Sequence, residues 1–380
     1  MSILDKATLH LPMGAAYKSG SVWMSKPLSD DGYFAYSRDS AATRITDCGE
    51  VGSVALATPR LNYTDGIPGL LIEDTKTNLV AYSNPNSSYW GKSAGATITA
   101  NYGISLEGKI NASRIQSSAS NDYIVIACSI ASGQTYTFSA YVKGTSGQQI
   151  RLYTDGSANI NTEFTLDGTW QRFYVTVTTT STSALNVHIL AGYGSTNPAR
   201  DFLVWGAQTE LGSAPSSFIK TTGSTATRAG DSFVIANNRA LPYIGGSQGT
   251  IYFYVYYKNN GGSYQQFMYY TDASASQSYM FVNSSRFVQT NLNLGSMQSS
   301  VQLVDGSFNK VAVKYMPGKQ QMYINGQSVA TATYGSILNH ANVFLGSFSG
   351  SSEFSGMEFI EYAHFDQVLS NEEMISLTTL

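Results

Sequence analysis

Few side chains in this sequence could carry covalent chemistry. The four histidines, His10, His188, His340 and His364, are scattered. No pair has the His-x-x-x-His spacing that sets two imidazoles on one helix face for a metal. His188 and His364 fall in stretches that read as strands, where a single imidazole is expected to be a satisfied structural residue. The chain has no Gly-x-Ser-x-Gly elbow and no glycine-rich loop leading into a helix, so nucleophilic acyl transfer and phosphate cradling have no seat. The two cysteines, Cys48 and Cys128, make neither a disulfide framework nor a four-ligand zinc site, and both are expected as free thiols, with a long-range bridge between them the alternative. Glycoside hydrolysis would need two carboxyl groups roughly 5 to 9 Å apart. The acids near the C-terminus are Glu353, Glu358, Glu361 and Asp366. Glu358 and Glu361 are three apart, so on a regular strand they face opposite sides. The expectation is a protein that is not an enzyme.

Binding of a neutral polar ligand suits the inventory better. The chain has 26 Tyr, 17 Phe and 4 Trp, and aromatic rings stack on the C–H faces of sugars while amides and hydroxyls bond their OH groups. Tyr102, Tyr123, Tyr153 and Tyr193 fall at or near strand ends and turns in the first half, and Tyr256, Tyr257, Tyr264, Tyr269 and Tyr270 cluster in the second. The candidate glycan-binding residues are Tyr102, Tyr123, Tyr153, Tyr193, Tyr257 and Tyr270. An aromatic stripe in a β-sandwich is more often core, and Trp170 and Trp205 are read that way. Trp90 reads equally as a packing plug or as exposed.

These residues must be positioned by β-structure. Only 12 % of residues are charged, about half the usual share of roughly 25 %, so the polar surface is built from Ser, Thr, Asn, Gln and Gly, which favour strands and turns. Thr135–Gly144 (TYTFSAYVKG) alternates as a half-buried strand, and similar runs follow at 149–155, 170–180, 184–193 and 201–210, separated by Gly-rich turns. Later, Pro317-Gly318 and Asn325-Gly326 punctuate two hairpins, and Ser29-Asp30-Asp31-Gly32 marks an early turn. Ser370 and Glu373 form a capping box for one C-terminal helix, with Met374, Ile375 and Leu377 expected to pack inward. The fold class expected is all-β: two antiparallel β-sandwich (jelly-roll) domains preceded by an irregular N-terminal β-containing module, with one short C-terminal helix. The expected divisions are 1–80, 81–222 and 223–380. A formal net charge of −3 without a basic patch excludes phosphate-driven nucleic-acid binding. Asp5 and Lys6 precede an apolar run too short for a signal peptide, and no run reaches the roughly 18 apolar residues of a membrane span. No cleaved export signal and no membrane insertion are expected.

Several motifs carry a resemblance. Thr43-Arg44, Pro59-Arg60 with Tyr63, Leu70-Leu71 with Glu73, and Thr77-Asn78-Leu79 occur in the order seen in an opening module of bacteriophage fibre, spike and decoration proteins. WGAQTELGSAPSSFIKT (205–221) followed by ATRAGD (226–231) resembles another segment of those proteins. The stretch from YTFSAYVK through DGTWQRFYVTVT to WGAQTELG resembles carbohydrate-binding-module jelly rolls. Gly249-Thr250, Lys310–Lys314 with Tyr323–Gly326, and Phe354–Gly356 with Phe365-Asp366 resemble laminin-G and concanavalin-like sandwiches, with Asn309-Lys310 a mild departure. The resemblance implies a virion protein made in the host cytoplasm, a homotrimer, other virion proteins as partners of the N-terminal module, and host-surface glycan as ligand. It implies no cofactor, though it admits a structural calcium for which Asp155, Asp201 or Asp231 could serve; no loop has an Asp-x-Asp pattern. A non-viral lectin and a glycan depolymerase are the rival readings. Arg44 and Arg60 are expected as structural partners of Glu50, Glu73 or backbone carbonyls, with docking onto the virion the alternative, and Phe218 and Ile219, which a free linker would not need, imply that the two sandwiches are held in a fixed relation.

Overall fold

The WGAQTELG segment lies in a strand, Asp201–Leu211, because Phe202, Val204 and, past an irregularity at Gly206, Ala207 have a core to face. This computed structural model describes residues 2–13, 17–18, 21–22, 34–182, 184–236, 246–271, 277–292, 295–333, 342–350 and 352–380. The Ser29–Gly32 turn and His340 lie outside the described residues. The chain forms two units. A central unit comprises Gly49–Gly52 and Thr75–Arg228, and a terminal unit comprises Met1–Cys48, Ser53–Asp74 and Ala229–Leu380.

The central unit is a sandwich of two five-stranded antiparallel sheets. One runs in the order Gly91–Lys92, Tyr123–Cys128, Leu185–Leu190, Gln149–Gly156, Ile160–Thr165; the other Ala96–Ile104, Ile110–Ser117, Asp201–Leu211, Thr135–Gly144, Gln171–Thr178. Ile124, Leu152, Val187 and Ile189 of the first belong to one core with Phe138, Ala140, Val142 and Val204 of the second. Thr135–Gly144 is a strand over the expected span, but it is not half-buried: Thr137, Ser139 and Tyr141 on its polar face are buried too. The segment after residue 211 covers them. Thr137 Oγ1 donates to Gly212 O (2.8 Å), and Arg172 donates to both Ser139 Oγ (3.0 Å) and Ser216 O (2.6 Å). Phe218 packs against Trp205 with centroids 4.5 Å apart and the rings inclined at 50°, so this segment is packed, as its apolar residues predict. Gly206 makes the approach: it sits at φ +64°, in a bulge between the pairs Ser139–Gln208 and Tyr141–Trp205, where a Cβ would lie 3.0 Å from Tyr141 and 3.3 Å from Phe218. Asn78 clasps the same segment, donating to Ala207 O (3.1 Å) and Ile219 O (2.8 Å) and accepting from Thr209 N–H (3.1 Å). The TNL and WGAQTELG motifs are therefore one structural clasp.

In the terminal unit, residues from the N-terminal stretch complete sheets made by the C-terminal half. The larger sheet runs Gln327–Ala332, Lys319–Ile324, Ser307–Met316, Gly249–Tyr257, Glu358–Phe365, Ile67–Leu71, Arg60–Thr64, and Leu9–Pro12 also pairs with Glu358–Phe365. The facing sheet runs Gly295–Gln302, Phe287–Leu292, Gln277–Asn283, Tyr264–Thr271, Asn342–Leu345, Ser232–Ala236, Phe34–Ser37. The first 80 residues, expected as a module of their own, thus put strands into both sheets of this sandwich. The Asn325-Gly326 turn has positive φ at both residues, 47° and 82°, as a tight primed hairpin requires. The Ser370–Glu373 capping box forms at the head of helix Asn371–Thr378, which buries Met374, Leu377 and Thr378. Ile375, expected inside, is 45 % exposed because the buried positions recur at i, i+3 and i+4 from Met374. Cys48 is exposed and Cys128 buried, and no disulfide joins them.

Arg60 of the first motifs and Asp231 of ATRAGD meet in a buried ion network of the terminal unit. Arg60, fully buried, donates to Glu73 Oε2 (2.7 Å) and to Asp231 Oδ2, and Arg38 donates to Asp231 Oδ1 at 3.1 Å. The Glu73 N–H donates to Asp231 Oδ2 at 2.9 Å. Burial alone would lower the Arg60 pKa, but Asp231 and Glu73 override it and hold the guanidinium charged. Arg44 donates to Leu61 O at 2.7 Å. These arginines and carboxylates are structural partners, as the first of the two readings has it.

Candidate functional site

Strand alternation gives the first sheet of the central unit a second, polar face. Ile124, Ile126, Leu152, Val187 and Ile189 point into the core, so their neighbours point away from it. Pairing then aligns these neighbours in rows across the sheet. One row is Tyr123–Leu190–Arg151–Glu163; the next is Val125–His188–Tyr153–Asn161; a third holds Ala127–Asn186–Asp155.

At the centre, the His188 ring is flanked by Tyr123 and Tyr153, each with its centroid 5.1 Å away. His188 Nε2 lies 3.1 Å from Asp155 Oδ2, at ion-pair distance but without hydrogen-bond alignment. Asp155 Oδ1 accepts from Asn186 Nδ2 at 2.6 Å. Burial pushes the His188 pKa below its usual value, and Asp155 offsets only part of that, so the ring is neutral at pH 7. Arg151 donates to Glu163 Oε2 (3.2 Å) and Asn161 Oδ1 (2.8 Å), and its guanidinium lies 5.7 Å from the Tyr193 ring centroid. The face offers aromatic rings, inclined at 57° and 69° to the imidazole between them, beside fixed donors and acceptors, which is the chemistry that holds a sugar ring by its C–H face and its hydroxyls.

The six candidate tyrosines separate. Tyr123 and Tyr153 lie on this face, half-buried, and Tyr193 stands at its edge, 54 % exposed. Tyr102 is also exposed but lies on the other sheet, beneath Arg114 at 4.7 Å. Tyr257 and Tyr270 are corrected: both are fully buried in the terminal unit, where Tyr257 donates to Gln265 Oε1 (3.1 Å) and Tyr270 meets the Tyr362 hydroxyl (3.4 Å). No sugar can reach them. Trp90 is a packing plug, buried and donating to Tyr82 O at 3.0 Å. Trp205 is core as expected, whereas Trp170 precedes its strand and is only half-buried. The expectation missed His188, Arg151, Asn161 and Asn186. The signal for Arg151, Asn186 and His188 was present in the alternation of 149–155 and 185–190, whereas Asn161 joins them only through its pairing with Tyr153.

The carboxylate geometry needs one correction. A bulge at Ile360 pairs Glu358 with Tyr256 and Glu361 with Tyr254, so the two acids share a face after all. Glu358 is nevertheless only 6 % exposed, and its Oε1 accepts from Asn62 (2.9 Å) and Thr64 (2.7 Å). On the central face, Asp155 and Glu163 are two rows apart, about 13 Å along the strands, beyond the separation of a glycosidase pair. Each suggested calcium ligand is engaged: Asp155 by Asn186, Asp201 by Arg114 (2.8 Å), and Asp231 by Arg38 and Arg60. Among the described residues no three His, Cys, Asp or Glu side chains gather as a metal site.

Residues 228–374 match the family described as the concanavalin A-like lectin/glucanase superfamily, of the laminin-G type. No curated protein matches the chain in sequence. Among solved structures, the chain is similar to the CBM40 of the Ruminococcus gnavus IT-sialidase, solved with α2,6-sialyllactose, at 20 % identity and a TM-score of 0.28, covering 35 % of this chain and 83 % of that one. It is also similar to the CBM22-1 xylan-binding domain of Paenibacillus barcinonensis Xyn10C, at 12 % identity and a TM-score of 0.30 over 39 % of this chain and 97 % of that one. The tandem CBM22-1–CBM22-2 structure of that enzyme aligns over 79 % of this chain and 98 % of its own, at 12 % identity and a TM-score of 0.29. Likenesses this distant do not carry a ligand across.

Proposed function

We propose that this protein is a component of a bacteriophage virion appendage that binds host-surface glycan without cleaving it. The observation that carries the binding is the Tyr123–His188–Tyr153 cluster, set by register on one sheet face with Arg151, Asn161 and Asp155 around it. The match of residues 228–374 to a lectin-type family supports the same class of ligand. The virion role rests on the motif resemblance at 43–79 and 205–231. In this reading copies of the chain assemble as homotrimers, and the N-terminal residues meet other virion proteins.

Binding is tested on a glycan array probed with the whole chain and with Tyr153→Ala. Binding lost in the variant supports the reading, and an array without signal rejects it. Proteomics of purified particles tests the virion role. Glycan binding by a protein absent from particles would leave a non-viral lectin. A mass measurement showing a monomer at micromolar concentration would contradict the trimer. Release of reducing ends from a bound polysaccharide would turn the reading toward a depolymerase.

A further inference from the structure

The outer face of the facing sheet of the terminal unit, the sheet containing Tyr264–Thr271, carries two rows unlike those of the central unit. Register aligns Phe344, Tyr269, Tyr279, Asn291 and Ser296 across five strands. Beside them run Gln266, Phe281, Gln289 and Gln298. The opposite side chains of the same strands, among them Met280, Val282, Val288 and Leu292, fill the core. The first row passes from aromatic to polar along the sheet, and the second holds one ring, Phe281, among amides.

Where they change character there is an open cavity of about 200 Å³, lined by Tyr279, Phe281, Gln289, Asn291, Ser296 and Gln298 together with Thr290 and Met297. None of the lining residues is charged. The Tyr279 and Phe281 rings lie 5.5 Å apart, inclined at 41°, and make an angled apolar wall. Asn291 Nδ2 donates to the Tyr279 hydroxyl at 3.2 Å, while Asn291 Oδ1 is buried and has no hydrogen-bond partner among the described residues. An unpaired acceptor of this kind is costly until a donor reaches it. Gln289 donates to Gln298 Oε1, which also receives Asn283 Nδ2 at 3.4 Å.

We infer that this cavity is a second saccharide site, selective for a neutral sugar. One sugar face would lie against Tyr279 and Phe281, and hydroxyls would bond the Asn291, Gln289 and Gln298 amides. An uncharged lining gives a carboxylated or sialylated sugar no partner for its charge, and burying an unpaired charge is unfavourable. The central face differs here, since Arg151, Asp155 and Glu163 place charge on it. The inference rests on the reading of the chain as a glycan binder, but on different residues, so the two can fail separately.

The test is an array of neutral hexose and N-acetylhexosamine oligosaccharides four to eight units long, with sialylated and uronic-acid oligosaccharides beside them. It is probed with the whole chain, Tyr279→Ala, Ser296→Trp and Tyr153→Ala. Ser296 is exposed, so its replacement fills the cavity without disturbing the core. The expected result is a neutral oligosaccharide bound by the wild type and weakened at least tenfold by both Tyr279→Ala and Ser296→Trp, but not by Tyr153→Ala. Neutral binding untouched by those two variants overturns the second site. If Tyr153→Ala alone abolishes binding, the central face stands without it. No neutral oligosaccharide bound at all also overturns it.

Discussion

At the residue scale, two buried groups make opposite demands on solvent. Asp231 is held by Arg38, Arg60 and the Glu73 N–H with no water access. Removing its charge leaves two guanidinium groups buried without their shared partner, and such losses cost about 3 to 5 kcal/mol. Asp231→Asn should therefore lower the unfolding free energy by that order in a denaturant titration; a change under about 1 kcal/mol would mean that the network is relaxed or hydrated. Glu358 behaves differently. Burial raises its pKa to about 7 against the bonds from Thr64 and Asn62 that lower it, and its Oε2 has no partner among the described residues. A folded value above the unfolded value means that the folded state binds the extra proton. The stabilisation is thus complete below about pH 4.5 and is lost as pH rises through about 7. Glu358→Gln should remove that slope from the pH dependence of hydrogen exchange in Glu358–Phe365. A slope that persists in the variant would locate the titration elsewhere. The sequence displayed both acids, but their difference in burial depends on partners 158 and 296 positions away, which no local pattern encodes.

At the element scale, much of the fold was legible and its irregularities were not. Alternation marked Thr135–Gly144 and its neighbours as strands because a period of two survives wherever one face is apolar. It did not show that a loop would bury the polar face, since that requires the path of residues 212–219. Nor did it show the bulge at Ile360, where one extra residue reverses the facing of everything beyond it. Half the candidate site was visible: Tyr123, Tyr153 and Tyr193 gather around Arg151 and His188, whereas Tyr257 and Tyr270 carry the same ring chemistry into the core. Ring type alone does not distinguish the two faces of a strand. Gly206 supplies the element-scale test. Gly206→Val must adopt φ +64° and press its Cβ against Tyr141 and Phe218, so it should destabilise the central unit by about 2 kcal/mol or more and raise hydrogen exchange over 212–219. Unchanged exchange there would show that the packed segment does not depend on the bulge.

At the scale of the whole molecule, one chain carries two sandwiches whose outer faces have different chemistry. The His188 face depends on a neutral imidazole. Burial depresses its folded pKa, so this contribution to stability is complete above the unfolded value of about 6.5 and is lost as pH falls through the depressed folded value. Glycan binding by the central face should accordingly hold from pH 7 to 8 and weaken on acidification, and a His188→Gln variant should flatten that profile. The central claim is that Tyr153 and its neighbours hold a sugar. Its most direct test is a calorimetric titration of the whole chain with the oligosaccharide that the array selects, repeated with Tyr153→Ala. The account predicts that the variant unfolds near the wild-type temperature and binds at least one of the array-selected oligosaccharides about tenfold more weakly or worse. An unchanged Kd for every bound oligosaccharide would contradict it.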